Sequence, residues 1–522
     1  MDTERIAHWL RRTKREPTLV VVPLVAGIAG VIGSFAVAGL TPGFVAAPIS
    51  GFLARTLPAA VITAAILFLG SLGQALNLVT AIVLSALLFA LMTAVARYAA
   101  SRVAQPLVAV GGAGISVAGL AFLLTGGPLP AAGAGVAVSI VVGVDHLASR
   151  PESSASSTDT SAGRRRLLAS LATLASVGVL GTLYRQAGAG TTSPSAPATD
   201  SETRSGTTSA GSASEETPVS PEKQLLTEAD EKSLDIRGIE PLVSEKFYQV
   251  DINAVDPELS PDGWTLSITG AVEEERTLSY EDLTNLPEEH RFITLRCVGE
   301  NLNGHKMDNA LWTGTPVADL IDGAGPMGGC ECVMLRAEDG YFEEFPLSAL
   351  RNGFLAWGMN GGPLPKGHGH PVRALIPGHW GEINVKWLTE IEVLDKQVDG
   401  YWEKRGWHGT GPVNTVAKLH AFNDLENGRL QVGGHAYAGT RGIDRVEVSI
   451  DGGDSWVDAT LSEPLPGEDV WRQWVYEYDN PGSTHEVVVR ATDGTGTLQP
   501  EEQQRSFPSG PTGWVRQRMN PP

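Results

Sequence analysis

One cysteine stands apart in this chain. The run Phe292-Ile-Thr-Leu-Arg-Cys297-Val-Gly-Glu-Asn-Leu-Asn-Gly-His-Lys-Met-Asp-Asn-Ala-Leu-Trp312-Thr-Gly314 begins as an apolar strand and ends in a polar loop rich in Gly and Asn. Such a strand delivers a single thiol into a pliable loop, and a thiolate is a soft ligand suited to a polarisable metal. Arg296, its neighbour, is expected to help keep the thiol ionised. A second block, Gly361-Gly-Pro-Leu-Pro-Lys-Gly-His368-Gly-His-Pro-Val-Arg373-Ala-Leu-Ile-Pro-Gly378, is followed by Asn384-Val-Lys386-Trp387-Leu388. His368, Arg373 and Lys386 supply the fixed cationic donors that a phosphate needs. The other two cysteines, Cys330 and Cys332, lie in a strand-like run and read as small buried residues on one strand face. Three cysteines cannot make an iron–sulfur or structural zinc pattern.

The elements that carry these residues follow from composition. The net charge of −20 is divided: residues 1–190 hold 13 Lys/Arg against 6 Asp/Glu, whereas residues 221–522 hold 25 against 49. The acidity of this second part argues against nucleic acid as a partner. Four stretches lack any charged residue, 17–54, 56–96, 103–144 and 167–184, and they predict a membrane region over 1–185. With turns at Ser71-Leu72-Gly73 and Gly126-Gly127-Pro128-Leu129-Pro130 the count is six spans, or five if 57–73 does not cross. Arg11, Arg12, Lys14 and Arg15, with Arg164, Arg165 and Arg166, favour the inner face. Both sets are satisfied by five spans, which place the tail outside; six would return it to the cytoplasm. The expectation is a multi-pass protein of the cell membrane with its catalytic domain outside the cytoplasm.

Residues 186–222 are Ser, Thr, Gly, Ala and Pro with scattered acids, too polar to offset their chain entropy by burial. A flexible linker over 186–234 is predicted. Beyond it the pattern is globular. Trp264–Gly270 alternates as a strand and Tyr280–Leu286 reads as a short capped helix. After 412 the signal is all-β: Arg445–Ile450 alternates, Asp451-Gly452-Gly453 makes a turn, and Glu486–Arg490 is a further strand. Short strands at this spacing predict an immunoglobulin-type β-sandwich over 412–510.

The three blocks resemble the sulfite oxidase family of molybdenum enzymes, over about 240–505. The resemblance implies an α+β protein with a mixed α+β molybdopterin-binding domain at 235–405, followed by the sandwich as a dimerisation domain. It implies molybdenum and molybdopterin as cofactors, with Cys297 as the only protein bond to the metal. Tyr248, Gln249, Asp251, Ile252, Asp339, His368, Arg373, Asn384 and Lys386 match the family's cofactor contacts. Trp407 aligns with the family's tyrosine near the metal, and Val250 and Leu302 align with two arginines that would face a substrate anion. The expected reaction is a two-electron oxygen-atom or redox transfer on a small sulfur oxo compound. Electrons would leave to a separate acceptor, and the chain would be a homodimer. Two alternatives stand: the same cofactor working reductively on sulfoxide-type substrates, and a cofactor-free, membrane-anchored surface binding protein. His305, His379 and His408 are further candidates for the pocket.

Overall fold

A computed structural model describes residues 18–69, 71–102, 106–148, 220–327 and 329–520. The chain divides into two compact units: the first comprises 1–58, 68–214 and 252–256, the second 59–67, 215–251 and 257–522.

The first unit is helical. Its main helices are α1 (Thr18–Ala38), α2 (Ala46–Thr56), α3 (Ala59–Leu69, grouped with the second unit), α4 (Ser71–Ala100), α5 (Pro106–Thr125) and α6 (Pro128–Ala148). Four of these, α1, α4, α5 and α6, contain stretches long and apolar enough to cross a membrane. With 11 residues α3 rises only about 16 Å, short of a bilayer's apolar thickness of about 30 Å. The expected turn between α5 and α6 is present, with Gly126 at φ 67°. The predicted span at 167–184 lies outside the described residues. Glycines let α1 lie against α6, because a Cβ on Gly33 or on Gly133 would collide with the other's backbone. Arg97 of α4 and Asp145 of α6 form an ion pair of 2.9 Å. Leu123 is 83% and Ile115 76% exposed, an outward apolar surface suited to lipid.

The second unit holds the strands, in chain order β1 (Thr265–Gly270), β2 (Arg276–Ser279), β3 (Glu289–Arg296), β4 (Met307–Pro316), β5 (Cys332–Ala337), β6 (Phe342–Pro346), β7 (Phe354–Met359), β8 (Gly362–Pro363), β9 (Arg373–Leu375) and β10 (Leu388–Leu394). They form two mixed-in-helix layers with orders β2-β1-β10-β5-β6 and β3-β4-β7-β8, β9 pairing with β7. The parallel pair in this part is β1 with β10; its other pairs are antiparallel. Leu266, Ile268, Val333, Leu335, Phe345, Leu355 and Ile391 fill the core between them. Ser279 caps the short helix Tyr280–Thr284 through a reciprocal bond with Asp282, as its sequence predicts.

Residues 416–519 form the sandwich. One sheet has β11 (Val416–Ala417), β12 (Ala421–Asp424), β13 (Arg429–Tyr437), β16 (Thr460–Leu461) and β17 (Arg472–Asp479). The other has β14 (Ile443–Ser449), β15 (Val457–Asp458), β18 (His485–Asp493) and β19 (Val515–Met519). Gly452 and Gly453 take positive φ in the turn between β14 and β15, where residues with a Cβ would be strained.

Two expectations need correction. The linker does not extend to 234: Pro221–Lys232 is a helix, α7, capped by the Ser220 hydroxyl and buried through Ala229. Its Leu225 and Leu226 pack against an apolar cluster that contains Trp380 and Trp407. Cys330 and Cys332 are not two small side chains sharing a strand face. They form a disulfide with Cα atoms 5.2 Å apart. Glu331 between them has φ 50°, so the chain turns there and brings the two thiols to one side.

Candidate active site

The site is built on the end of β3. Its register with β4 pairs Arg296 with Met307, and a 3.0 Å bond from Cys297 N to Lys306 O extends the ladder by one residue. Cys297 is thus the first residue past the strand, a free and half-buried thiol. Burial raises its pKa most; Lys306 opposes this, while Glu300 and Glu382 add to it.

Arg296 does not serve the thiol. It is fully buried, its Nε donates to Glu300 at 2.8 Å, and its other nitrogens donate to the carbonyls of Asn414 (2.9 Å) and Pro511. Its guanidinium lies over Trp380 at 4.8 Å. The alternation of β3 explains this, since neighbours on a strand face opposite ways. Glu300 also accepts from Lys418 Nζ at 2.8 Å and Lys306 N at 3.0 Å. Lys418 also donates to Gly304 O, and burial pushes its pKa down to about 8. The sandwich therefore clamps the loop that follows Cys297.

A cradle of cations and carbonyls forms from the second block. Lys366–His368 makes one turn of 3-10 helix ended by Gly369 at φ 112°, where a Cβ would lie 3.0 Å from both the Arg373 and Lys386 side chains. Arg373, 4% exposed, donates to His368 O at 3.1 Å and Asn384 O at 3.0 Å, and stacks over Trp312 at 5.1 Å. Burial lowers its pKa to about 10. Lys386 donates to Gly367 O at 2.9 Å, pairs with Asp251 and lies 4.5 Å from the Trp387 ring. Asn384 is a brace: it accepts from Ile376 N at 2.7 Å and donates to Trp380 O at 2.9 Å. His368 is held neutral, its pKa lowered to about 4 by burial and then by Arg373 and Lys386. Phe247 packs edge-on against both Trp312 and His368 and stacks on Tyr248. The Tyr248 backbone N donates to Asp308 at 2.8 Å. Burial, then Cys297 and Asp308, drives the Tyr248 hydroxyl well above its ordinary pKa.

Not every matched residue joins this group. Gln249 and Val250 are exposed, Ile252 falls in the first unit, and Asp339 accepts from Tyr341 N in the turn after β5. Trp407 is 2% exposed, packed on Trp402 and Phe507, and its Nε1 is buried with no hydrogen-bond partner among the described residues. Leu302 contributes to the same apolar cluster as Trp380 and Trp407. His379 Nδ1 donates to Pro377 O and burial lowers its pKa; His408 is exposed; His305 stacks on His420 at 4.2 Å.

Two features escaped the sequence. Lys306 opposes Cys297 across the ladder, which only the strand register reveals. Glu343, Glu382 and Glu403 cluster around Tyr341, whose hydroxyl donates to Glu343 and to Glu382 O, each at 2.8 Å. Burial raises Glu382 to about 8 and drives Glu343, hydrogen-bonded to Glu403, well above the usual carboxylate range. These acids lie far apart in the chain, so no local spacing announces them.

The donor set fits a phosphate-bearing pterin with a metal. Arg373 is a buried cation with no carboxylate within ion-pair range among the described residues, and its Nε has no partner. A buried charge left in that state calls for an anion. Residues 253–402 match the oxidoreductase molybdopterin binding domain, and residues 413–516 match the Mo-co oxidoreductase dimerisation domain. The chain carries both domains of a molybdopterin-dependent oxidoreductase and is similar to the sulfite oxidase family.

Among its relatives is sulfite oxidase of Arabidopsis thaliana, 26% identical over 302 residues, covering 46% of this chain and 77% of that protein. Mitochondrial sulfite oxidase of Homo sapiens is 28% identical over 299 residues, covering 47% of this chain and 55% of its own length. Nitrate reductase [NADPH] of Fusarium oxysporum, another branch of the family, is 26% identical over 343 residues, covering 50% of this chain and 38% of that protein. The chain thus spans little more than half of the mitochondrial relative. A solved structure, the sulfane dehydrogenase SoxCD of Paracoccus pantotrophus, has a TM-score of 0.41 and 20% identity, covering 56% of this chain and 87% of that one. In a family member the molybdenum–pterin group supplies the two-electron redox chemistry.

Proposed function

We propose that the chain oxidises a small sulfur oxo compound at molybdenum ligated by Cys297. The observation that carries this is Arg373, a buried cation with no carboxylate within ion-pair range among the described residues, on the same cradle as His368 and Lys386. Arg373 and Lys386 hold the pterin phosphate, His368 stays neutral beside them, and Asn384 and Trp312 brace them. Asp251 keeps Lys386 in place. Cys297 is presented by β3 and fixed by the Glu300–Lys418 clamp. Tyr248, protonated because its ionised form is disfavoured, keeps an O–H to donate beside the thiol. Trp407, Leu302 and Trp380 make an apolar wall that excludes water. Electrons pass to a separate acceptor, and two chains pair through the sandwich.

The same apolar wall supports a second reading, reduction of neutral sulfoxides, since Val250 and Leu302 stand where the resemblance implies arginines. The disulfide Cys330–Cys332 supports placement outside the cytoplasm, where disulfides persist. The test is metal analysis of the purified full chain with sulfite and dimethyl sulfoxide turnover, beside Cys297→Ser. About one molybdenum per chain is expected, with sulfite oxidation lost in the serine variant. A serine variant as active as the parent refutes the ligand, and turnover of sulfoxide alone favours the reductive reading.

A further inference from the structure

We propose that Lys306 is the substrate-recognising cation of this site and determines its preference for an anionic oxo compound. The inference rests on the function proposed above. Residues directly opposite on an antiparallel ladder project to the same face, with Cβ atoms about 4.5–5.5 Å apart. The β3–β4 register continues through the bond from Cys297 N to Lys306 O, so the Lys306 side chain leaves the sheet on the side where Cys297 presents its sulfur. The root of that side chain is held at both ends, because Lys306 N donates to Glu300 at 3.0 Å and Lys306 O accepts from Cys297.

Every other cation around the site has work elsewhere. Arg296 is bound to Glu300 and two carbonyls of the sandwich side. Lys418 is bound to Glu300 and Gly304 O. Lys386 is paired with Asp251, and Arg373 faces the cradle. The Lys306 ammonium has no carboxylate within ion-pair range among the described residues. It is also half-buried, where a charge acts more strongly than in bulk water. With Val250 and Leu302 standing where the resemblance implies arginines, Lys306 supplies a cation without an ion-pair partner among the described residues, from the same loop as Leu302. A singly placed ammonium recognises a small oxoanion as a point charge, without the planar two-point grip of a guanidinium.

The test uses the full-length holoenzyme, as wild type, Lys306→Met and Lys306→Arg. Sulfate binding to the resting enzyme is measured by calorimetry, molybdenum by elemental analysis, and sulfite kinetics in parallel. The methionine variant is expected to keep its molybdenum, while its sulfate Kd and sulfite KM rise about tenfold or more, as loss of one charge-assisted bond implies. The effect falls on KM more than on kcat, and arginine recovers most of the loss. Unchanged Kd and KM in a methionine variant overturn the assignment while sulfite oxidation stands. Loss of molybdenum from that variant also overturns it, making Lys306 structural. A wild-type enzyme that neither binds sulfate nor oxidises sulfite overturns the proposed function itself.

Discussion

Arg373 and Arg296 show how one residue type serves two purposes in one domain. Arg296 meets Glu300 and the carbonyls of Asn414 and Pro511, so its charge is matched from within. Arg373 meets only carbonyls and an indole face, so its charge is left for something else. Replacing Arg373 by Met keeps the buried stem and removes the charge. Molybdenum per chain in the purified variant should fall about tenfold or more, the loss expected from one charge-assisted contact, with the circular dichroism of the fold retained. A variant that purifies with full molybdenum would show that the cradle holds the cofactor without this residue. Arg296→Met should behave differently. Glu300 keeps Lys418 as its counter-charge, but the buried carbonyls of Asn414 and Pro511 lose their donors, at a cost of about 1–3 kcal/mol each, so the thermal midpoint falls by several degrees.

At the scale of elements, the acids around β6 and the histidines of the cradle and sandwich set how stability responds to pH. Glu382 is raised to about 8, Asp469 to about 7 and Asp308 to about 6, and Glu343 is raised as well. The folded chain holds these protons where the unfolded chain has lost them, so this stabilisation is full below the unfolded values of 3.8 to 4.5. It is lost as pH rises through the folded values. His368, His420 and His435 are depressed to about 4, 3 and 3. The unfolded chain binds their protons up to 6.5, so they make stability rise with pH until that point and contribute nothing above it. The two effects oppose each other below pH 6.5, the acids prevail between 6.5 and 8, and above about 8 the depressed Lys418 begins to oppose them. The thermal midpoint of the second unit is therefore expected to fall between pH 6.5 and 8, and Glu382→Gln to flatten that fall. A midpoint constant over this range would contradict the burial of these acids. Local pattern made the elements themselves legible: β1, the capped helix after Ser279, β14 with its glycine turn, and β18 all announce themselves by alternation or capping residues. The clamp from Lys418 to Glu300 did not, because 118 residues separate its ends. Nor did α7, whose polar sequence hides the few apolar residues, Leu225, Leu226 and Ala229, that it buries. The cysteine and the cradle cations were legible as types, whereas the direction each side chain takes depended on strand register.

For the whole molecule, the tether region and the cysteines both report which side of a membrane the second unit faces. Four described helices are long and apolar enough to span a bilayer, and the polar composition of 186–219 predicts a tether before α7, which Ser220 caps. The full chain should therefore sediment with membranes, and limited protease should cut within 186–219 to release a fragment that retains molybdenum. Release by protease added outside, in cells without an outer barrier, places the unit outside; release only after lysis places it in the cytoplasm. The cysteines give an independent reading. If the unit folds in an oxidising compartment, denatured protein alkylated before reduction should block one thiol, Cys297, and reduction should expose two more. All three blocked without reduction would mean that Cys330 and Cys332 stay reduced in the cell. That result would agree with a cytoplasmic unit and with six spans rather than five. Protease release from outside together with three free thiols would separate the two inferences, upholding the orientation and rejecting the disulfide.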